Sequence, residues 1–225
     1  MNLLDKKEPY YIKIYQIIKD RIFDGTYQPG EKIVESQLNK EFGVSKSPVR
    51  EAIRVLENEG LIVVKGSRLY IYETSAKDIK EVYTFRAIME SYATKQFATY
   101  ATNEDIQKLE NTLKNAEKMI INEKKKSEIM KENARFHQII LNKSENDIFI
   151  RHYNIINSLV NYYRNINIEG KDRCQEILKQ HQEIFNLIKS KDINGSAKKM
   201  VKHLEQDVLH LFEVLEINQT ISLDI

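Results

Sequence analysis

Residues Glu41 to Leu61 constrain this chain more than any other segment, because they read as a tight turn at Gly43 feeding a short helix with two unlike faces. Val49, Ala52, Ile53 and Leu56 recur at i, i+3, i+4 and i+7, which gathers one apolar stripe on a helix. Lys46, Arg50 and Arg54 fall four apart on the other side, with Ser47 beside them. A helix seated on a core while showing cations and hydroxyls outward suits a negatively charged groove such as that of double-stranded DNA. Pro48 fits only in the first turn, where its missing N–H costs nothing. Either Ser45 or Ser47 can cap that end.

The flanking segments complete the motif. Tyr11, Ile14, Tyr15, Ile18 and Ile22 line one face of an opening helix that stops at Asp24-Gly25, and Gln28-Pro29-Gly30 signals a turn. Val34, Leu38 and Phe42 align on a second helix, which the Gly43 break separates from the basic one. This is the pattern of a helix-turn-helix. Leu61 to Val64 and Leu69 to Tyr72 are β-prone runs separated by Lys65-Gly66-Ser67-Arg68, a small hairpin with cations near its tip. The order predicts a winged helix-turn-helix over residues 1–74.

The run from Gly25 to Ile33, then Glu35-Ser36-Gln37-Leu38, then Gly43 through Leu61 resembles the DNA-binding domain of GntR-family transcriptional regulators over residues 9–74. The resemblance implies that Ser45, Lys46, Ser47 and Arg50 contact an operator and that Lys65 and Gly66 of the wing approach the minor groove. Ser36 stands where some relatives carry an arginine, and Lys46 stands where arginine is common. A point charge there replaces a bidentate fork, which weakens guanine reading.

Bulk charge is a poor witness to this function. The 225-residue chain carries a net +2, and residues 1–74 hold twelve Lys/Arg against eleven Asp/Glu, about +1. The placement of the cations carries the argument, not their number. Lys124-Lys125-Lys126, the one dense basic run, falls between two expected helices and reads as a solvated loop. No run of eighteen apolar residues and no secretory segment is seen, and the single Cys174 has no partner. A cytoplasmic protein with no membrane span is expected.

From Thr74 onward the pattern is helical throughout: Ser75 to about Tyr100, a start at Thr102 with Asp105, then about 127–142, 146–166, 172–189 and 193–217. The expectation is an all-α six-helix bundle over 75–217 with an unstructured tail, 218–225. Several polar residues fall on the apolar stripes. Arg86 lies among Ile79, Tyr83 and Phe97; Asn133 and His137 lie with Phe136 and Ile140; His181 sits between Ile177 and Ile184; His203 borders Met200 and Leu204. Two readings stay open. Three imidazoles and an amide oxygen can hold a divalent metal with an open position. Alternatively each polar group is satisfied singly, with Arg86 paired to Glu90 at i+4.

Asn133-Ala134-Arg135-Phe136-His137, His181-Gln182-Glu183 and Lys202-His203-Leu204 resemble the FCD effector domain of FadR-like regulators over residues 76–215. The resemblance implies that Asn133, His137, His181 and His203 ligate a divalent metal such as zinc or nickel, with Arg86 near an effector pocket. Asn133 stands where aspartate is common. That leaves the site one charge more positive and favours a carboxylate effector anchored by Arg86. The expected protein is a homodimeric repressor on a pseudo-palindromic operator, released by a small anionic metabolite. The competing reading is a metal-dependent hydrolase with an appended DNA-binding head, for which no general base such as that of H-E-x-x-H stands beside the ligands. His152 and His210 are read as ordinary surface or core residues, and for Tyr162, Tyr163 and Arg164 two readings stay open, pocket lining and core or surface packing.

Overall fold

The computed structural model describes residues 9–170, 172–219 and 223. The chain forms two compact units: one runs through Thr74 and includes the short stretch Ile155–Leu159, and the other holds the remainder. Among the described residues no helix is long and apolar enough to cross a membrane.

In the first unit the order is α1 (Tyr10–Phe23), β1 (Lys32–Ile33), α2 (Glu35–Phe42), α3 (Lys46–Asn58), β2 (Ile62–Lys65) and β3 (Arg68–Ile71). Ile14, Ile18 and Ile22 of α1, Leu38 of α2, and Val49, Ala52, Ile53 and Leu56 of α3 are buried, so the expected stripes form one core. Gly43 ends α2 in the left-handed region at φ +63°, where a side chain would clash with its own backbone. Ser45 stands at the N-cap of α3 in extended conformation, but the hydroxyl cap expected of Ser45 or Ser47 is not made. Both hydroxyls therefore stay exposed at the start of α3.

β2 and β3 pair antiparallel with Lys65 opposite Arg68, so Gly66-Ser67 is a two-residue turn with Gly66 at φ +67°. β1 was not anticipated. Its two residues add to the far edge of β3, Lys32 opposite Tyr70 and Ile33 opposite Leu69, giving the order β1-β3-β2. Two residues are too few to show an alternation, and only Ile33 turns inward.

The second unit contains α4 (Ala76–Tyr100), α5 (Asn103–Ile121), α6 (Lys126–Asn142), α7 (Asp147–Asn167) apart from its Ile155–Leu159 stretch, α8 (Arg173–Lys189) and α9 (Ile193–Val214). Ser75 with Asp78, and Thr102 with Asp105, form reciprocal capping boxes that start α4 and α5. Asn146 and Asp192 cap α7 and α9 with their side chains. α4 packs along α9, α5 along α6 and α8, and α8 along α9. The chain leaves α5, α6, α8 and α9 through left-handed non-glycine residues, Glu123, Glu145, Lys191 and Glu216. α9 ends at Val214, three residues before the expected 217. Most of the expected tail, 218–225, lies outside the described residues.

Candidate DNA-binding face and metal centre

Burying Val49, Ala52, Ile53 and Leu56 leaves the opposite side of α3 to solvent. Ser45, Lys46, Ser47, Arg50 and Arg54 are all exposed there, as are Lys65, Gly66 and Arg68 on the wing. Arg50 Nε donates to Glu35 Oε2 of α2 at 2.9 Å, and the pair is open to solvent. Such a pair is worth at most about 1 kcal/mol and exchanges readily for a phosphate or a guanine edge. Lys65 Nζ rests 5.6 Å from the centre of the Tyr70 ring, which keeps the wing cation beside its own strand.

The second unit turns its polar residues inward. His137 on α6, His181 on α8 and His203 on α9 are buried, with one ligating atom from each within 4.8 Å of the others. His137 Nδ1 is 2.5 Å from Glu90 Oε2, and His203 Nδ1 is 2.6 Å from Gln180 Oε1. Each acceptor fixes its imidazole as the Nδ1–H tautomer and leaves Nε2 as the bare donor. His181 Nε2 and His203 Nε2 then face each other at 3.2 Å. His137 Nε2 and Asn133 Oδ1 are buried without any hydrogen-bond partner. The Phe136 ring stacks on His181 with centroids 4.1 Å apart and holds that imidazole in plane.

Burial depresses all three imidazoles. His137 is pushed down to about 3, against the opposing pull of Glu90. Burial and then the neighbouring imidazoles His203 and His137 hold His181 well below the usual range. Burial lowers His203 too, although Asp207 opposes it. All three are neutral at pH 7, so the His137–Glu90 contact is an N–H donated to a carboxylate and not an ion pair. Burial raises the Glu90 carboxyl, but Arg86, His137 and Arg164 outweigh it and keep the group ionised.

The donor set fits a borderline divalent cation. Neutral imidazole nitrogens and an amide oxygen are the form such an ion takes, and donors about 2.1 Å from one ion lie roughly 3.0–3.4 Å apart. The 3.2 Å spacing of His181 and His203 falls in that window. Satisfying each polar group singly fails for His137 Nε2 and Asn133 Oδ1, since an unpaired buried atom costs about 1–3 kcal/mol.

Arg86 makes the i+4 pairing that its spacing suggested. Its Nε donates to Glu90 Oε1 at 2.8 Å, one turn along α4, while Nη1 and Nη2 have no hydrogen bond. Tyr153 also donates to Glu90 Oε1 at 2.7 Å, and Arg164 Nη2 lies 3.9 Å from that oxygen with no hydrogen bond of its own. Among the described residues three buried arginines, Arg86, Arg164 and Arg173, face two buried acids, Glu90 and Asp207. Arg173 also reaches the exposed Glu176 at 3.2 Å. An apolar cavity between α5, α6 and α8, lined by Leu113, Ile129, Phe136 and Ile177, touches Asn133 and His181.

The profile described as "Bacterial regulatory proteins, gntR family" matches residues 10–68, and that of the FCD domain matches residues 81–206. The chain belongs to the GntR family and carries an FCD domain. The uncharacterized HTH-type transcriptional regulator YdhC of Bacillus subtilis (strain 168) is 37% identical, over 95% of this chain and 96% of that one. The HTH-type transcriptional repressor RspR of Escherichia coli (strain K12) is 23% identical, over 90% and 89%. The crystal structure of a GntR-type regulator from Rhodococcus sp. RHA1 shares the fold at a TM-score of 0.74 and 17% identity, covering 93% of this chain and 99% of that one. This GntR protein is accordingly a DNA-binding regulator of transcription and not the hydrolase of the competing reading.

In this GntR chain the structure brings together His137, His181 and His203, with Asn133 one turn from His137. It keeps His210 apart: its Nε2 lies 2.9 Å from the Glu169 carbonyl. His152 is exposed. Sequence reasoning missed Gln180 and Asp207, and it read Glu90 as the partner of Arg86 but not as the acceptor for His137. Spacing held a signal for Asp207, which lies one turn after His203.

Proposed function

We propose that this protein is a homodimeric transcriptional repressor whose helical unit binds a divalent cation, zinc or nickel, and a small carboxylate effector. Residues 1–74 serve as the DNA-binding domain and 75–217 as the effector and dimerisation domain. Ser45, Lys46, Ser47, Arg50 and Arg54 meet the major groove, and Lys65 and Gly66 the minor groove. Asn133, His137, His181 and His203 hold the cation, and Arg86 anchors the effector. The observation that carries the reading is the convergence of three buried imidazoles, one turn from a buried Asn133, with His137 Nε2, Asn133 Oδ1 and both Nη atoms of Arg86 lacking hydrogen bonds. The cation would supply an electrophilic position for one effector oxygen. Arg86 takes the other charge, and its position on α4, packed along α9, ties ligand binding to helix packing. An effector that favours one packing shifts the population of DNA-competent dimers. A twofold dimer reads a pseudo-palindromic operator.

Elemental analysis of untagged protein tests this directly. About one equivalent of divalent metal per chain is expected, and His137→Ala with His181→Ala should remove it. Thermal-shift screening against carboxylates should give a metal-dependent stabilisation that Arg86→Ala abolishes. Metal content that survives the double substitution removes the assigned site.

A further inference from the structure

Three imidazoles and one amide give the proposed centre no anionic donor, yet two buried carboxylates border the imidazoles on different sides. Glu90 stands behind His137, on its Nδ1 side, with Oε1 taken by Arg86 and Tyr153 and Oε2 by the imidazole N–H. Asp207 stands in front. It follows His203 by one turn of α9, and its Oδ1 accepts from Arg173 Nη2 at 2.7 Å and from Asn167 Nδ2 at 2.6 Å. Its Oδ2 lies 3.7 Å from His203 Nε2, the bare donor atom of that ring, and 3.9 Å from Arg86 Nη1. Donors on one cation lie roughly 3.0–3.4 Å apart, so Oδ2 is a few tenths of an ångström from that spacing to His203, just outside the cluster that the three imidazoles form. A guanidinium and an amide gripping one oxygen hold the other in place, as outer partners do for ligating carboxylates.

We propose that Asp207 Oδ2 is a fifth protein ligand, the anionic one, of the cation held by Asn133, His137, His181 and His203. The inference rests on the metal reading above. Asp207 supplies the negative charge that a neutral amide at position 133 does not, and it does so from a different helix. Five protein donors exceed the four of a closed tetrahedral zinc site and suit a six-coordinate ion with one position left for an effector oxygen or water. With Oδ2 turned to the cation, Arg86 keeps both Nη atoms for the remainder of the effector.

The test is a titration of metal-free, full-length protein with Co2+, followed by visible absorption and by competition with a chelator. Asp207→Asn keeps the side-chain volume and an acceptor for Arg173. It is expected to weaken Co2+ binding by more than about 100-fold, beyond the roughly 10–100-fold lost with an outer partner. It should also intensify the ligand-field bands as the coordination number falls. Adding Asn133→Asp to Asp207→Asn should recover at least about tenfold in affinity, because a carboxylate returns to the sphere. If Asp207→Asn fails to fold, Asp207→Glu is read instead, with binding retained and the bands shifted by the longer arm. Unchanged bands in whichever variant folds overturn the proposal, whether affinity is kept or lost, since a merely positioning Asp207 would lower affinity alone. A wild-type protein that takes up no Co2+ overturns the metal reading itself, which separates the two failures.

Discussion

Each unit contains an Arg–Glu pair of nearly the same length. Arg50 Nε reaches Glu35 Oε2 at 2.9 Å with side chains 59% and 32% exposed; Arg86 Nε reaches Glu90 Oε1 at 2.8 Å with side chains 0% and 1% exposed. The geometry is shared and the energetics are opposite. Water solvates Arg50 whether or not Glu35 is present, so that pair can open to meet a nucleic acid at little cost. Arg86 and Glu90 have left water, and each depends on the other and on Tyr153, His137 and Arg164 to remain charged. A polar residue on the outside is free to serve a macromolecule, whereas one on the inside belongs to the fold and to whatever small ligand completes it.

The largest expected difference comes from removing the acid of each pair. Glu90→Ala strands Arg86 and leaves the His137 N–H without its acceptor, and should cost about 3–5 kcal/mol in denaturant unfolding of the second unit. Glu35→Ala should stay within about 0.5 kcal/mol of wild type. Equal losses would erase the contrast. Acid sharpens it further, because all five histidines lie beyond residue 74. His137 titrates near 3 in the fold, with His181 and His203 also depressed, against about 6.5 for an unfolded imidazole. The unfolded chain therefore binds protons first as pH falls. Stability from these groups is complete above about pH 6.5; that from His137 is lost on the way down towards 3, by about 1.4 kcal/mol per pH unit, and His181 and His203 add in the same direction. In metal-free protein, amide exchange between pH 7 and 5.5 should show the helical unit weakening while the winged unit holds. A uniform response of both units would count against buried neutral imidazoles.

The same inside–outside difference decided what could be read from sequence. Val49, Ala52, Ile53 and Leu56 against Lys46, Arg50 and Arg54 is a local pattern within one helix, so both α3 and its outward face were readable. The helices of the second unit were readable for the same reason, from Ser75, Thr102 and their acidic partners. His137, His181 and His203 could be placed on inward stripes, but their meeting is a fact of three-dimensional packing. Gln180 escaped notice because its contact with His203 depends on α8 packing against α9, which no spacing encodes, whereas the i+4 step from His203 to Asp207 was a signal left unread. β1 was hidden by its length, and the end of α9 by a left-handed Glu216 where glycine would have marked the stop.

Loss of one DNA contact bears most directly on the central claim, that α3 turns its cations to DNA while the second unit turns its polar groups inward. Binding of wild-type protein and of Arg50→Ala to an operator selected from random duplex DNA should be measured across a range of salt concentrations. The account predicts a loss of about 1–3 kcal/mol and relaxed preference at one base position, with affinity falling steeply as salt rises. An Arg50→Ala protein with the same affinity, base preference and salt slope as wild type would contradict it.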